Sequence, residues 1–460
     1  MAGRSHAVVI GASVAGLLAA AVLAERYDRV TVYDRDTLPD GAETRKGVPQ
    51  SRQAHGILWR GTDTFDRLLP GFADDLTAAG AVSFDQQRDL ITYLDGYLLR
   101  PAESGLIIRG VTRPTLEHLV RRRVLALDGV SAAAGTDVTG LTASGGRVTG
   151  VRVRPAGGDA AEDAVPVPAD LVVDAAGRGS RAGNWLGELG YPAPEEEQVR
   201  AGVVYVTRYY AAAPGVLEGK AGVMTTPYPG RHRGGGVLRQ EGDRFVVFLT
   251  GMVGDDPPVD DDGFLACAET LEPETAEVIR RCEPLGDAVK MRYPVSRRLR
   301  YDKLDRRLDG FLATGDAVCT FNPIYGQGMT AAALEALELR RILAAGPGIG
   351  DLTRRYLQSL GKLTSGPWTL SASGDLRFPA AEGRRHPADR FFLAYTDWYR
   401  AAASVDPELG RTFLRVANML DSPLSLLAPA RIAAVLRSAG KGRAARAGKR
   451  AGTAVKRAVR

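Results

Sequence analysis

The spacing of apolar positions changes several times along the chain, and each change marks an element. Residues 6–10 (HAVVI) form a short continuous apolar run, a glycine-bearing turn follows at 11–16, and residues 17–24 are almost wholly Ala, Leu and Val. Such runs predict a buried strand and then a buried helix. After a polar stretch at 25–29, residues 30–36 (VTVYDRD) predict a second strand. Strand, glycine turn, helix and strand make one βαβ unit. That continuation argues against a secretory signal at 1–24, although Arg4 precedes the apolar run.

Further along, residues 138–153 alternate around Ser-Gly-Gly and predict a hairpin. Between 200 and 300 the alternating segments GVVYVTRYY, GGGVLRQ and DRFVVFLTG predict an antiparallel sheet, with turns at Glu241-Gly242-Asp243 and at 254–258. Tyr205, Tyr209, Tyr210, Phe245 and Phe248 are its candidate cavity-lining aromatics. Residues 309–343 read as a buried strand, a Gly315-Asp316 turn and a glycine-rich start to an amphipathic helix. Beyond 345 the pattern is helical, with Trp368, Phe391, Phe392, Tyr395, Trp398 and Tyr399 at helical spacings, and predicts a lid or packing region.

With 460 residues, 45% hydrophobic and 25% charged, the composition is that of a globular protein of two or three domains. No run of 18 apolar residues predicts a transmembrane helix. Cys267, Cys282 and Cys319 are too scattered for a disulfide framework, a CxxC pair or a zinc site, so a reducing, cytoplasmic setting is expected and no metal. The net charge of +6 suggests nucleic acid until its distribution is seen. Ten basic residues and no acidic one fall within 431–460, so this segment carries the whole excess. It has no aromatics to stack on bases; a solvated, frayed tail is expected, with contact to an anionic membrane or a partner as the alternative, and nucleic-acid binding is not.

The turn Gly11-Ala12-Ser13-Val14-Ala15-Gly16 is a GxSxxG form of the dinucleotide fingerprint. Gly11 permits the tight turn, Ser13 is small enough for backbone to approach a pyrophosphate, Gly16 allows helix against strand, and the amides from Val14 onward face the phosphates. Asp34, ending the second strand, is placed for an adenosine ribose, with Arg35 beside it. The second glycine element distinguishes FAD from NAD. Asp316 is placed for ribityl hydroxyls, and Gly326, Gly328 and Met329 offer first-turn amides to the flavin N1/C2 edge.

The segment GDAVCTFNPIYGQGM resembles the GD motif of FAD-dependent monooxygenases of the p-hydroxybenzoate hydroxylase type. Residues 109–119 resemble the family's Arg-x-x-Leu segment, which implies that Arg113 lies beside FAD, and residues 170–180 stand where the family has its DG motif. Ala176 replaces an Asp that many members carry there, and Cys319 stands where a His often follows the GD pair. Residues 45–58, with Gly-Arg-Gly-Ser at 177–180, are similar to the squalene-epoxidase-like branch that includes the polyether-antibiotic (lasalocid and monensin) epoxidases. Gln53 stands where those members usually have His. The likeness places Arg45 or Lys46 on the pyrophosphate and His55 towards the flavin. Val138 is also expected at the cofactor.

The resemblance implies an α/β fold: a three-layer Rossmann-like FAD-binding domain at 1–75, 105–185 and 300–345 with an antiparallel-sheet substrate domain at 76–104 and 186–299; the residue pattern and charge beyond it add a helical C-terminal region at 346–440 and a basic flexible tail at 441–460. It implies that NAD(P)H, directly or through a partner flavin reductase, reduces FAD, and that O2 then forms a flavin C4a-hydroperoxide. This would epoxidise or hydroxylate an apolar small molecule, a polyene or polyketide of secondary metabolism or antibiotic biosynthesis. No catalytic side chain is assigned. Absence of Trp-x-Trp-x-Ile-Pro and of Phe-x-Gly-x-x-x-His argues against a flavin halogenase and a Baeyer-Villiger enzyme. The alternatives are an FAD-dependent reductase or dehydrogenase acting on C=C bonds of an isoprenoid-like substrate, and a flavoprotein that has lost catalysis.

Overall fold

The computed structural model describes residues 5–157, 164–385 and 387–458. Its first βαβ unit consists of the strand His6–Ile10, the helix Val14–Leu23 and the strand Arg29–Asp34. The second strand stops two residues short of the expected 36. The Asp36 amide turns back to donate to Asp34 Oδ1 at 2.8 Å, an Asx turn that diverts the backbone.

Five parallel strands stand in the order Phe311–Ala313, Leu171–Asp174, His6–Ile10, Arg29–Asp34, Val130–Ala134. Helices Val14–Leu23, Arg113–Leu125 and Gly328–Ala344 cover one face. An antiparallel ribbon of Thr136–Ser144, Arg147–Pro155 and Val165–Pro168 lies on the other, giving three layers. Cover on both faces is why the central strands are continuously apolar.

A seven-stranded sheet roofs this unit, in the order Val289–Tyr293, Val203–Ala211, Arg244–Gly251, Arg233–Gln240, Gly222–Thr225, Leu90–Leu94, Tyr97–Leu98. It is antiparallel except where Gly222–Thr225 pairs in parallel with Leu90–Leu94, a strand arriving from far upstream. Tyr205, Thr207 and Tyr209 share one face, while Val206, Tyr210, Phe245, Val247 and Leu249 share the other. That second face is buried by helices Asp261–Ala268 and Pro273–Arg281, through Phe264, Cys267, Ala276 and Val278. Tyr210 and Phe245 are therefore core residues, not cavity aromatics.

The C-terminal region comprises helices Ile349–Asp375, Pro387–Ala403, Pro407–Ala417 and Pro429–Ala458. The first joins the core of the parallel sheet through Leu352, Tyr356, Leu357 and Leu360, so the expected boundary at 346 does not separate it from the nucleotide-type unit. The basic segment expected as a flexible tail from 441 is instead helical as far as Ala458, and 459–460 lie outside the described residues. The guanidinium of Arg443 stacks 4.4 Å from the Trp398 ring and that of Arg446 4.5 Å from the Tyr97 ring, while Gly442 is pressed against the Ala401 carbonyl. Among the described residues no helix is long and apolar enough to cross a membrane.

Candidate active site

A cavity of about 800 Å³ is lined by the fingerprint turn, the GD turn, the roof sheet and the C-terminal helices. Ligand pockets occupy this size range. Of the sequence-identified residues, Gly11, Ser13, Val14, Ala15, Asp34, Arg35, Arg45, Arg113, Val138, Asp316, Gly326, Gly328 and Met329 line it. Gly16 does not. A Cβ there would stand 1.9 Å from the Gly11 carbonyl oxygen, so Gly16 acts by packing the helix onto the turn. Lys46 is exposed and outside the cavity, a correction to its expected place, because its neighbour Arg45 takes the inward position.

The residues present fit FAD. Gly11 has φ +102° and a Cβ on it would meet the Ala175 carbonyl oxygen at 2.5 Å, while Gly315 has φ +62° and a Cβ would meet Ala15 Cβ at 2.6 Å. The two glycine turns thus close on each other as only glycine permits. Ser13 stands in extended conformation just before the helix and its hydroxyl makes no capping hydrogen bond, leaving the first-turn amides without acceptors.

A buried charge network underlies this turn. Arg45 donates to Glu117 at 2.8 and 2.6 Å, to Asp34 at 3.1 Å and to the Ala12 carbonyl at 3.0 Å. Arg113 donates to Glu117 at 3.2 Å and to Ser13 at 2.8 Å. Asp34 also accepts from the Ala12 amide at 2.7 Å, so its carboxylate fixes the turn itself. Glu117 was not singled out from sequence. Its signal is the i,i+4 spacing from Arg113 on a predicted helix.

At the GD turn, burial raises the Asp316 pKa against the lowering influence of Arg113, Arg178 and Arg297. The turn is held by Glu335, a second residue missed from sequence, which accepts from the Gly315 amide at 2.6 Å and from Thr314 Oγ1 at 2.8 Å. Burial pushes the Glu335 carboxyl up to about 7 from 4.5. The folded state therefore holds this proton to higher pH than the unfolded chain, and the contribution of Glu335 to stability falls as pH rises from about 4.5 to 7. Glu335→Gln keeps the acceptor without the charge. We expect it to exceed the wild type in urea-unfolding free energy at pH 8 by on the order of 1–3 kcal/mol, with the gap closing towards pH 4.5. An equal gap at both pH values would contradict the assignment.

The loop 49–56 closes the cavity beneath the roof. Gln53 accepts from Thr207 Oγ1 at 2.6 Å, and Gln240 donates to the His55 carbonyl at 2.7 Å. His55 lines the cavity, its Nδ1 2.9 Å from the Gln53 carbonyl, and burial with Arg113 nearby lowers its pKa to about 4, so it is neutral at pH 7. Tyr205 and Phe248 line the chamber, whereas Tyr209 does not. Glu241, expected only as a turn residue, accepts from the Thr112 amide at 2.9 Å and from Thr115 Oγ1 at 2.7 Å, tying the roof to the helix that carries Arg113. Among the described residues no His, Cys, Asp and Glu cluster could hold a metal.

Comparison with known proteins agrees with this geometry. A family model described as an FAD binding domain matches residues 4–347. Protein Rv3254 of Mycobacterium tuberculosis (strain ATCC 25618 / H37Rv) is 36% identical over 437 residues, covering 91% of this chain and 90% of its own. Among solved structures, the flavin-dependent brominase Bmp2 superposes with a TM-score of 0.65 at 16% identity, covering 90% of this chain and 94% of that one. The p-nitrophenol 4-monooxygenase PnpA of Pseudomonas putida DLL-E4 gives 0.62 at 15% identity over 92% and 100%. PqsL of Pseudomonas aeruginosa, described as a probable FAD-dependent monooxygenase, gives 0.60 at 18% identity over 82% and 99%. At these identities the structures speak for the fold, and the family match with the 36% relative speaks for membership. The chain belongs to the FAD binding domain family, on the fold of the flavin-dependent monooxygenases.

Proposed function

We propose that the protein is a monooxygenase that uses reduced FAD and dioxygen to epoxidise or hydroxylate a largely apolar small molecule, a polyene or polyketide of secondary metabolism. The observation that carries this reading is one continuous cavity joining the two glycine turns to an apolar chamber lined by Leu238, Met224, Phe248 and Met291. Epoxidation is favoured by the likeness of residues 45–58 and 177–180 to the epoxidase branch. NAD(P)H, directly or through a partner flavin reductase, is the proposed electron source, and the cytoplasm the proposed setting.

Bound FAD supplies the redox chemistry; the chain's residues hold and shield it. Gly11, Ser13, Val14 and Ala15 with Arg45 and Arg113 would receive the pyrophosphate, and Asp34 and Arg35 the adenosine ribose. Val138 would pack beside the cofactor. Asp316 would receive ribityl hydroxyls, and the first turn of Gly328–Ala344 would face the flavin N1/C2 edge, where its dipole favours negative charge. Neutral His55 adds no cation beside Arg113. The roof sheet and the loop 49–56 wall the chamber, and shielding it from water would protect the oxygen chemistry from side reactions.

The test is isotopic. Photoreduced holoprotein is mixed with a panel of polyenes and phenols under 18O2, and products are weighed by mass spectrometry. A product carrying one 18O is expected. A product gaining two hydrogens and no oxygen would assign the protein to the reductases of C=C bonds instead.

A further inference from the structure

The part of the cavity walled by the C-terminal helices holds charge that none of the residues assigned to the cofactor accounts for. Three side chains there, Asp95 from the edge of the roof sheet and Arg377 and Arg400 from the C-terminal helical region, line the same space as Phe392, Leu393 and Phe413. Arg377 takes both oxygens of Asp95 in a fork and also donates to Asp397 at 2.8 Å. Arg400 is left with a remainder. Only its Nη1 is engaged, 3.3 Å from Asp95, 3.2 Å from Asp397 and 3.4 Å from Thr396 Oγ1, and those acids are already held more closely by Arg377.

Among the described residues, Nε and Nη2 of Arg400 have no acceptor, although its side chain is only 12% exposed. Asp397 is 53% exposed, so water screens its charge, and a single buried carboxylate faces two guanidiniums. Neither nitrogen is fully enclosed by protein, so both are open to the cavity, where a ligand can complete the guanidinium. A planar fork with two free donors matches a carboxylate. The surrounding walls are apolar, so the rest of the ligand must be apolar too.

We propose that the substrate is an amphipathic carboxylic acid, and that its carboxylate is received by Nε and Nη2 of Arg400 at the end of the cavity built by the C-terminal helices. This rests on reading the cavity as the substrate chamber, and it adds one anionic end to an otherwise apolar molecule. Arg400 is then a specificity residue and Arg377 holds Asp95 in place beside it.

Decanoate and decanamide, which share a tail and differ in headgroup charge, are titrated into the FAD-loaded protein and followed by perturbation of the flavin absorbance and by thermal shift. Decanoate is expected to bind at least tenfold more tightly than decanamide. Arg400→Gln removes that preference, and Arg400→Lys retains part of it. Equal binding of the two probes, no binding of decanoate, or an undiminished preference in Arg400→Gln would overturn the proposal. Where Arg400→Gln fails to fold, Arg400→Lys carries the test, and an undiminished preference in it would likewise overturn the assignment. Failure of the oxygenase reading would appear as missing 18O with the decanoate preference intact; failure here would leave 18O incorporation untouched.

Discussion

Gly16→Val is expected to purify without FAD and with a severely weakened fold. Its Cβ would stand 1.9 Å from the Gly11 carbonyl oxygen and 3.1 Å from the Gly11 carbonyl carbon, both backbone atoms that cannot move aside without opening the turn. Overpacking costs about 1–3 kcal/mol where side chains can yield, and more where they cannot. The turn is also where Asp34 grips the Ala12 amide, so displacing it loosens the acid together with the phosphate cradle. Asp316→Ala separates cofactor loss from unfolding. The Asp316 carboxylate makes no hydrogen bond among the described residues and its burial opposes its charge, so the apoprotein should melt within a few degrees of wild type while FAD retention falls sharply. Stoichiometric FAD in purified Asp316→Ala, read from absorbance after release, would contradict its placement at the ribityl chain.

Glu117→Ala is expected to destabilise the apoprotein by about 3–5 kcal/mol, because it leaves Arg45 and Arg113 buried without the carboxylate that both share. The loss should be smaller with FAD bound. If the pyrophosphate sits against these guanidiniums, its charge replaces part of what Glu117 provided. Denaturant unfolding of wild type and Glu117→Ala, each with and without excess FAD, measures the difference. Equal losses in apo and FAD-loaded protein would mean that Arg45 and Arg113 serve the fold and not the phosphates.

These networks also mark what a sequence reader can and cannot see. The first βαβ unit and both glycine turns were legible because each is local: an apolar run, a turn of fixed spacing and a helix within a few tens of residues. Glu117 was within reach for the same reason, four residues from Arg113. Glu335 was marked only by a charge at a core-facing position of an Ala- and Leu-rich helix. Facing of the roof aromatics was not legible. Tyr205 and Tyr210 differ in strand parity, and which parity meets the cavity depends on the two helices at 261–281 that bury the other side. The order of the basic segment was hidden likewise, since the rings that Arg443 and Arg446 stack on come from residues 398 and 97. Arg400 meets Asp95 across three hundred positions, a distance over which no spacing rule operates.

On the proposed reading this cavity holds a flavin that, once reduced, reacts with dioxygen for the benefit of a second molecule in the adjoining chamber. Stopped-flow mixing of photoreduced holoprotein with oxygenated buffer tests it most directly, with and without an unsaturated carboxylic acid. Reoxidation is expected in two phases, through a transient spectrum distinct from reduced and oxidised flavin, with the second phase faster when the acid is present. A single-step return to oxidised flavin, indifferent to the acid, would contradict it.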